Sequence, residues 1–316
     1  MKINKKEKIF LPGGAGLVGQ NLVVQLKKQG YSNIVVVDKH TANINILKRL
    51  HPDVVCIEED LVEDGTWQLH MQDSAVVVML QAQIGAKSSS LFIDNNINST
   101  KMVLDSAQKN NVAPYIVHIS SSVVESVADD DYTETKKRQE EMVKESGLAH
   151  CVLRPTLMFG WFDRKHLGWL SRFMKRIPIF PIPGHGRYMR QPLYVGDFCR
   201  IIEDCLQQQP KGQIYNISGK ERVDYIDIIR EIKKAQGLRT WILKIPYSVF
   251  WFLIATYGVF SSDPPFTISQ LKALTAKDDF ELIPWWDIFN TPATPFADAI
   301  HETFCDSEYS NVVLDF

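Results

Sequence analysis

Short apolar runs alternate with amphipathic stretches along the first half of the chain. The runs are continuously apolar, as in strands that are buried on both faces of a sheet. The stretches between them place apolar residues at helical spacing, as at Leu17, Leu22 and Leu26 ahead of the helix-stopping Gly30. This alternation predicts an α/β protein with a Rossmann-type, doubly wound parallel sheet. The predicted strands cover residues 8–11, 33–37, 54–57, 75–80, 115–119 and 151–153, and the clearest helices cover 17–29, 98–109 and 132–145.

The character of the sequence changes after Pro155. Residues 161–188 are rich in aromatic residues, glycine, proline and basic residues. Two further strands, at 193–195 and 213–217, flank a helix over 197–206 and are expected to return to the main sheet. The pattern therefore predicts a cofactor-binding Rossmann domain of residues 1–160 plus 193–219. A smaller, discontinuous α/β substrate-binding domain would comprise residues 161–192 plus 220–316.

Three glycines stand between the first strand and the first helix. Gly13, Gly16 and Gly19 allow a tight turn and let a backbone come close to a pyrophosphate, whose charge a helix N-terminus stabilises. The second predicted strand ends at Asp38, close to the offset at which an acidic residue binds an adenosine ribose. This pattern predicts a dinucleotide site. An acid at that position disfavours the 2′-phosphate of NADP and points to NAD.

Composition excludes several other functions. The 316 residues carry 35 basic and 37 acidic side chains, a net charge of −2 that provides no general attraction to nucleic acid. Five scattered cysteines with no Cys-x-x-Cys pair predict neither zinc nor any other metal site, and they suit a reducing cytoplasm. The N-terminus has no apolar signal core, so we expect a cytoplasmic protein.

One apolar run, residues 245–262, has no charged side chain over 18 positions. A bilayer core needs about 20 predominantly apolar residues, and this run contains Pro246, Thr256 and Gly258. We expect a buried helix of the second domain. A helix in peripheral contact with a membrane or a partner, or a true membrane span, are the alternatives.

A tyrosine and a lysine fall four residues apart on one predicted helix. Tyr132 and Lys136 would share a helix face, and a neighbouring ammonium lowers the pKa of a phenol toward neutrality. Three serines, Ser120 to Ser122, end the fifth predicted strand, where parallel sheets bind their ligands. Together these residues predict a proton-transfer site.

At this point the chain resembles the short-chain dehydrogenase/reductase superfamily, in its extended nucleotide-sugar epimerase/dehydratase branch. The glycine turn and the Tyr-x-x-x-Lys pair carry the likeness. Four further segments support it: Asp60-Leu61, Asn96 to Thr100, Leu153 to Thr156, and Arg190 to Asp197.

The resemblance implies a role for each matching residue. Tyr132 would be the catalytic acid/base, Lys136 would hold the nicotinamide ribose, and Ser122 would hydrogen-bond the reacting oxygen. Arg190 would bind the diphosphate of a substrate, expected to be a UDP-sugar, and Ser121 and Ser122 would also contact that substrate. The implied NAD-binding residues are Gly13, Gly16, Leu17, Val18, Gly19, Asp38, Asp60, Leu61, Leu80, Asn96, Ser120, Tyr132, Lys136, Pro155 and Thr156.

Two features depart from this family. Only nine residues separate Ser122 from Tyr132, a shorter active-site wall than sugar epimerases usually have. The segment Ser121-Ser122-Val123 also lacks the acid that 4,6-dehydratases use to eliminate water. We therefore expect a 4-epimerase or a 4-keto reductase, and a homodimer would be ordinary for the superfamily. A hydroxysteroid or lipid-alcohol dehydrogenase, and a non-catalytic NAD(P)-binding subunit like that of respiratory complex I, are the alternatives.

Overall fold

A computed structural model describes residues 3–126, 130–260, 267–275 and 281–315, except for a few side chains between 258 and 273. Its centre is a seven-stranded sheet in which every neighbouring pair is parallel, in the order β11-β6-β5-β4-β1-β2-β3. This architecture confirms the predicted fold class. The strands of this sheet are β1 (Lys8–Pro12), β2 (Ile34–Asp38), β3 (Val55–Glu58), β4 (Ser74–Met79), β5 (Tyr115–Ile119), β6 (His150–Pro155) and β11 (Gln213–Ile217).

Helices cover both faces of this sheet, because the five inner strands are mostly buried on both sides. One apolar cluster joins one sheet face to α1 and α8, and a second joins the opposite face to α3, α5 and α6. The helices are α1 (Leu17–Lys28), α2 (Thr41–Leu50), α3 (Thr66–Met71), α4 (Ser89–Phe92), α5 (Ser99–Gln108), α6 (Asp131–Glu145), α7 (Leu167–Arg176), α8 (Val195–Gln208), α9 (Tyr225–Ala235), α10 (Tyr247–Phe260), α11 (Ile268–Thr275), α12 (Trp285–Ile288) and α13 (Phe296–Cys305). A π-helix at Ile93–Asn98 and a 3₁₀-helix at Ser122–Glu125 complete the set.

Three two-stranded sheets lie outside the central sheet. They pair β7 (Met158–Phe159) with β10 (Leu193–Tyr194), β8 (Ile179–Pro183) with β13 (Trp241–Ile245), and β9 (Met189–Arg190) with β12 (Val223–Asp224). The prediction that residues 193–195 return to the main sheet is therefore wrong, because β10 ends after two residues and pairs with β7. The prediction for 213–217 is confirmed, since β11 extends the main sheet beside β6. The two-domain division stays a prediction.

The apolar run 245–262 forms α10 up to Phe260, and its last two residues lie outside the described part of the chain. The expectation of burial is wrong, because Phe252 is 61% exposed and Tyr257 is 53% exposed, whereas Phe250 is buried. Periodicity could not reveal this, since α10 is apolar around its whole circumference. Among the helices described, none combines the length and apolar character required to cross a bilayer.

Candidate active site

The glycine turn between β1 and α1 is closely packed on one side and open on the other. Gly13 has φ +74°, and a Cβ there would lie 2.5 Å from the Cα of Gln81, at the end of β4. A Cβ on Gly19 would lie 2.2 Å from the oxygen of Gly14. At Gly16, by contrast, the nearest atom would be 3.7 Å away, and no side chain caps the helix that starts at Leu17. An open turn before a helix N-terminus without a side-chain cap fits a dinucleotide pyrophosphate.

Asp38 ends β2 beside this turn. Its carboxylate accepts hydrogen bonds from the backbone N–H of Ala15 (3.1 Å) and of His40 (3.0 Å). Burial raises the pKa of Asp38, and these hydrogen bonds oppose that shift. The contacts hold an acceptor where a ribose of NAD would need one. A 2′-phosphate brought there would meet like charge.

Three further predicted cofactor residues lie around the ends of β3 and β4. The Asp60 carboxylate accepts from Lys39 Nζ (2.9 Å) and from the Val62 N–H (3.2 Å), and Leu61 is buried in the second apolar cluster. The Leu80 N–H donates to the Pro12 carbonyl (3.0 Å), which joins the end of β4 to the glycine turn. Their contacts with NAD stay predictions.

Asn96 lies in the π-helix, a conformation that is rare and frequent at functional sites. It is fully buried; its Oδ1 accepts from the Gln83 N–H (2.6 Å), and its Nδ2 donates to the Gln83 carbonyl (3.2 Å) and to Thr135 Oγ1 (2.9 Å). Asn96 therefore ties the loop after β4 to α6. These hydrogen bonds fix the loop after β4 against α6, beside the candidate site.

Tyr132 lies in the first turn of α6, which Asp130 caps by accepting from the Thr133 N–H (2.9 Å). The Ser121 side chain lies close enough to Tyr132 to lower the pKa of its phenol, and Ser121 Oγ accepts a hydrogen bond from the Val123 N–H (3.4 Å). The structure thus brings Tyr132 together with Ser121, one residue before the predicted Ser122, because Ser122 already opens the 3₁₀-helix. Burial raises the pKa of Tyr132, although the contact with Ser121 opposes the shift. The expectation of a lowered pKa is therefore wrong for the protein alone.

Lys136 is fully buried one helical turn after Tyr132. Its ammonium donates to the Ile119 carbonyl (2.9 Å) and to Gln139 Oε1 (2.6 Å), both neutral acceptors. Burial lowers the pKa of Lys136 to about 7, and the charge of Glu140 opposes this shift. The Gln139 amide in turn donates to the Gln81 carbonyl (3.3 Å). Because Gln81 lies against Gly13, these contacts connect the proton-transfer pair to the dinucleotide turn.

A buried ion pair behind the site was not predicted from the sequence. Glu140 accepts from Arg154 Nε (3.0 Å) and Nη2 (2.6 Å), from Lys144 Nζ (2.7 Å) and from Ser120 Oγ (2.9 Å). Burial alone would raise the pKa of Glu140, but these donors outweigh it and lower the pKa to about 2. The Ser120 hydroxyl therefore faces this ion pair, a position that does not support its predicted contact with NAD. The i, i+4 spacing of Glu140 and Lys144 was the available signal.

The predicted residues after β6 divide into two groups. Pro155 ends β6, and the buried Thr156 donates its N–H to the Ile217 carbonyl (2.9 Å), so both lie at the carboxyl edge of the main sheet. Arg190 is partly buried, and its guanidinium donates to the Met189 carbonyl (2.8 Å) and to the Leu274 carbonyl at the end of α11. Arg190 thus joins two segments of this region, and its binding of a diphosphate stays a prediction.

Comparison with known proteins gives this site a context. Residues 9–218 match the model of the NAD dependent epimerase/dehydratase family. The low-salt glycan biosynthesis protein Agl12 of Haloferax volcanii is 24% identical over 259 residues, which cover 72% of this chain and 82% of that protein. The UDP-glucose 4-epimerase of Vibrio cholerae is 24% identical over 271 residues, which cover 75% of this chain and 78% of that protein. The UDP-glucuronic acid 4-epimerase of Bacillus cereus, solved with NAD, is 26% identical with a TM-score of 0.64. The match covers 75% of this chain and 87% of that chain.

Proposed function

The chain belongs to the NAD-dependent epimerase/dehydratase family of extended short-chain dehydrogenases/reductases and uses NAD, and from this premise we propose that its substrate is a nucleotide sugar. The proposed reaction is reversible oxidation at C4, as a 4-epimerase or as a 4-keto reductase. The curated relatives include enzymes that act on nucleotide sugars, among them the Vibrio cholerae UDP-glucose 4-epimerase. A UDP-sugar is the expected substrate.

The position of Tyr132 beside the serines that follow β5 carries this proposal. It lies just beyond the carboxyl end of β5, with Lys136 one turn away and connected through Gln139 and Gln81 to the glycine turn. In the proposed reaction Tyr132 acts as a phenolate that takes the proton from the sugar hydroxyl, or as a neutral phenol that gives its proton to the ketone oxygen in the reverse direction, while Ser121 holds the same oxygen. NAD, when bound, supplies the hydride chemistry.

Glu125 bears on the choice between epimerisation and dehydration. It is the first acid after the three serines, but its Oε1 accepts from Arg154 Nη1 (2.9 Å) and from Asn216 Nδ2 (2.8 Å). These contacts tie the Glu125 carboxylate to β6 and β11. This arrangement supports an epimerase or reductase rather than a dehydratase.

A lipid-alcohol dehydrogenase is the second candidate, favoured by the exposed apolar side chains of α10. Two incubations of the purified protein separate these candidates. The first supplies NAD with UDP-glucose, UDP-galactose, and their uronic acid and N-acetyl forms; the second supplies NADH with 4-keto sugar nucleotides. Products are resolved by anion-exchange chromatography, and steroid and long-chain alcohols are tested in parallel. We expect interconversion of a 4-epimer pair or reduction of a 4-keto sugar. Turnover of the alcohols alone would establish the second candidate instead.

A further inference from the structure

The pair of strands β8 and β13 presents an apolar face to solvent. Their parallel register places Trp241 opposite Ile179 and Leu243 opposite Pro181, on one face of the pair. Trp241 is 77% exposed, Ile179 is 50% exposed and Leu243 is 49% exposed. Because large side chains of this kind are usually buried, an ordered row of them on a sheet indicates an interaction surface.

Helix α10 extends this exposed apolar character along the chain. It begins two residues after β13 ends, and β13 is anchored where the Gly184 N–H donates to the Ile245 carbonyl (2.7 Å). Besides Ser248, its exposed side chains among the described residues are apolar or aromatic: Tyr247, Val249, Trp251, Phe252, Leu253 and Tyr257. We refer to these side chains together with Ile179, Trp241 and Leu243 as the apolar surface.

The sequence segments that form the apolar surface carry charges of a single sign. The segments 164–196 and 232–262, which contain β8, β13 and α10, carry eleven Lys and Arg residues and no Asp or Glu, in a chain whose net charge is −2. Lys175 and Arg176 are the last two residues of α7, shortly before β8, and Arg239 lies two residues before β13 begins. Since the two strands are parallel, these exposed cations lie at the same end of the pair, where both strands begin. Across the residues that the structure describes, none of the three has an ion-pair partner.

We propose that the apolar surface binds an anionic phospholipid bilayer peripherally, with α10 lying in the headgroup region and the cations beside it on lipid phosphates. Trp, Tyr and Phe are the side chains that favour the membrane interface, and basic residues near the bilayer attract anionic lipids. The helix is about 21 Å long at 1.5 Å per residue, short of the roughly 30 Å of a hydrocarbon core, which favours a helix lying at the surface. Pairing of two copies through this surface would bring like charges together, so a bilayer fits better than a second copy.

Flotation of the full-length protein with vesicles tests this proposal. Vesicles of phosphatidylcholine alone are compared, at low and high salt, with vesicles in which about one third of the lipid is phosphatidylglycerol. We expect binding to the anionic vesicles that weakens with salt, since exposed charges are screened. Failure to bind the anionic vesicles at low salt would overturn the proposal.

Matched variants locate the binding surface. Trp241→Ser with Phe252→Ser should abolish flotation. Leu69→Ser with Val112→Ser, which alters similarly exposed side chains (65% and 79%) outside the apolar surface, should not. Arg176→Gln and Arg239→Gln should each weaken binding about fivefold, and Lys101→Gln should have no effect. NAD affinity and melting temperature serve as checks of folding. Equal losses of vesicle binding in both variant pairs would contradict the proposal. A dimer in size-exclusion chromatography that Trp241→Ser with Phe252→Ser dissociates would also contradict it, and would assign the apolar surface to self-association.

Discussion

The carboxyl edge of the main sheet and the apolar surface break opposite rules of protein burial. At the sheet edge, Lys136 and Glu140 are buried charges, which folded proteins rarely contain. On the apolar surface, Trp241 and Phe252 are exposed aromatic side chains. Neither arrangement favours folding, since the first removes charge from water and the second leaves apolar area in water.

The two regions differ in how those unfavourable groups are accommodated. Glu140 is surrounded by donors from Arg154, Lys144 and Ser120, so its charge is matched within the protein. Trp241 and Phe252 of the apolar surface are instead mostly exposed, at 77% and 61%. The charge of Glu140 is thus matched inside the chain, whereas the exposed aromatic side chains fit the proposal of an external partner.

The largest effect should follow from Tyr132→Phe, which deletes the proton-transfer hydroxyl and keeps the ring. We expect turnover to fall by about 10²- to 10⁴-fold with NAD affinity nearly unchanged. Tyr257→Phe makes the same chemical change on the apolar surface and should leave turnover in solution unaltered. Steady-state rates and calorimetry with NAD measure both. Similar rates for wild type and Tyr132→Phe would place the chemistry elsewhere.

The next largest effect on kcat should be that of Ser121→Ala, compared with the same change at the adjacent Ser122. Because Ser121 contacts Tyr132, Ser121→Ala should lower kcat by about 10- to 100-fold, the loss of one hydrogen bond to a reacting oxygen. Ser122→Ala should cost less than Ser121→Ala. The measurement is kcat for both variants on the same substrate. The reverse order would restore Ser122 as the active hydroxyl.

These serines show how far a sequence predicts such a site. The parallel sheet, the glycine turn and the Tyr132–Lys136 pair depend on local patterns of spacing, and the sequence contains them. Which of Ser121 and Ser122 faces Tyr132 depends on where β5 ends and the 3₁₀-helix begins, a boundary that propensity leaves open. The pairing of Glu140 with Arg154 joins segments through the tertiary fold. The exposure of α10 could not be predicted either, because an evenly apolar helix has no face that identifies its surroundings.

Lys136→Met should change how stability depends on pH. The folded-state pKa of Lys136 is about 7, below the 10.5 of an unfolded lysine, so the unfolded chain binds more protons between these values and wild-type stability rises with pH there. Between pH 7 and pH 9 the free energy of unfolding of wild type should gain about 2 kcal/mol relative to Lys136→Met. Urea unfolding at several pH values measures this gain. The partly exposed neighbour Lys137, changed to Met, serves as the matched control.

A smaller effect should follow from Asp38→Ala. Wild type should bind NAD more tightly than NADP, because the Asp38 carboxylate accepts from ribose hydroxyls and repels a 2′-phosphate. Removing it should narrow the gap between the two cofactors by about tenfold, the value of one charge-assisted hydrogen bond. Calorimetry with both cofactors gives the ratio, and Asp105→Ala on α5 serves as the control. Tighter binding of NADP by wild type would contradict the assignment of Asp38.

The smallest effect should be that of Phe252→Ser on stability. Phe and Ser have similar helix propensities, and a side chain that is 61% exposed loses little packing, so the free energy of unfolding should change by about 0.5 kcal/mol or less. The fully buried Phe10, changed to Ala, should cost about 3 to 5 kcal/mol. Chemical denaturation of both variants measures the contrast. A loss at Phe252 as large as that at Phe10 would mean that α10 is covered in solution. A negligible loss would mean that folding does not require this aromatic side chain, which leaves binding as the reason for its exposure.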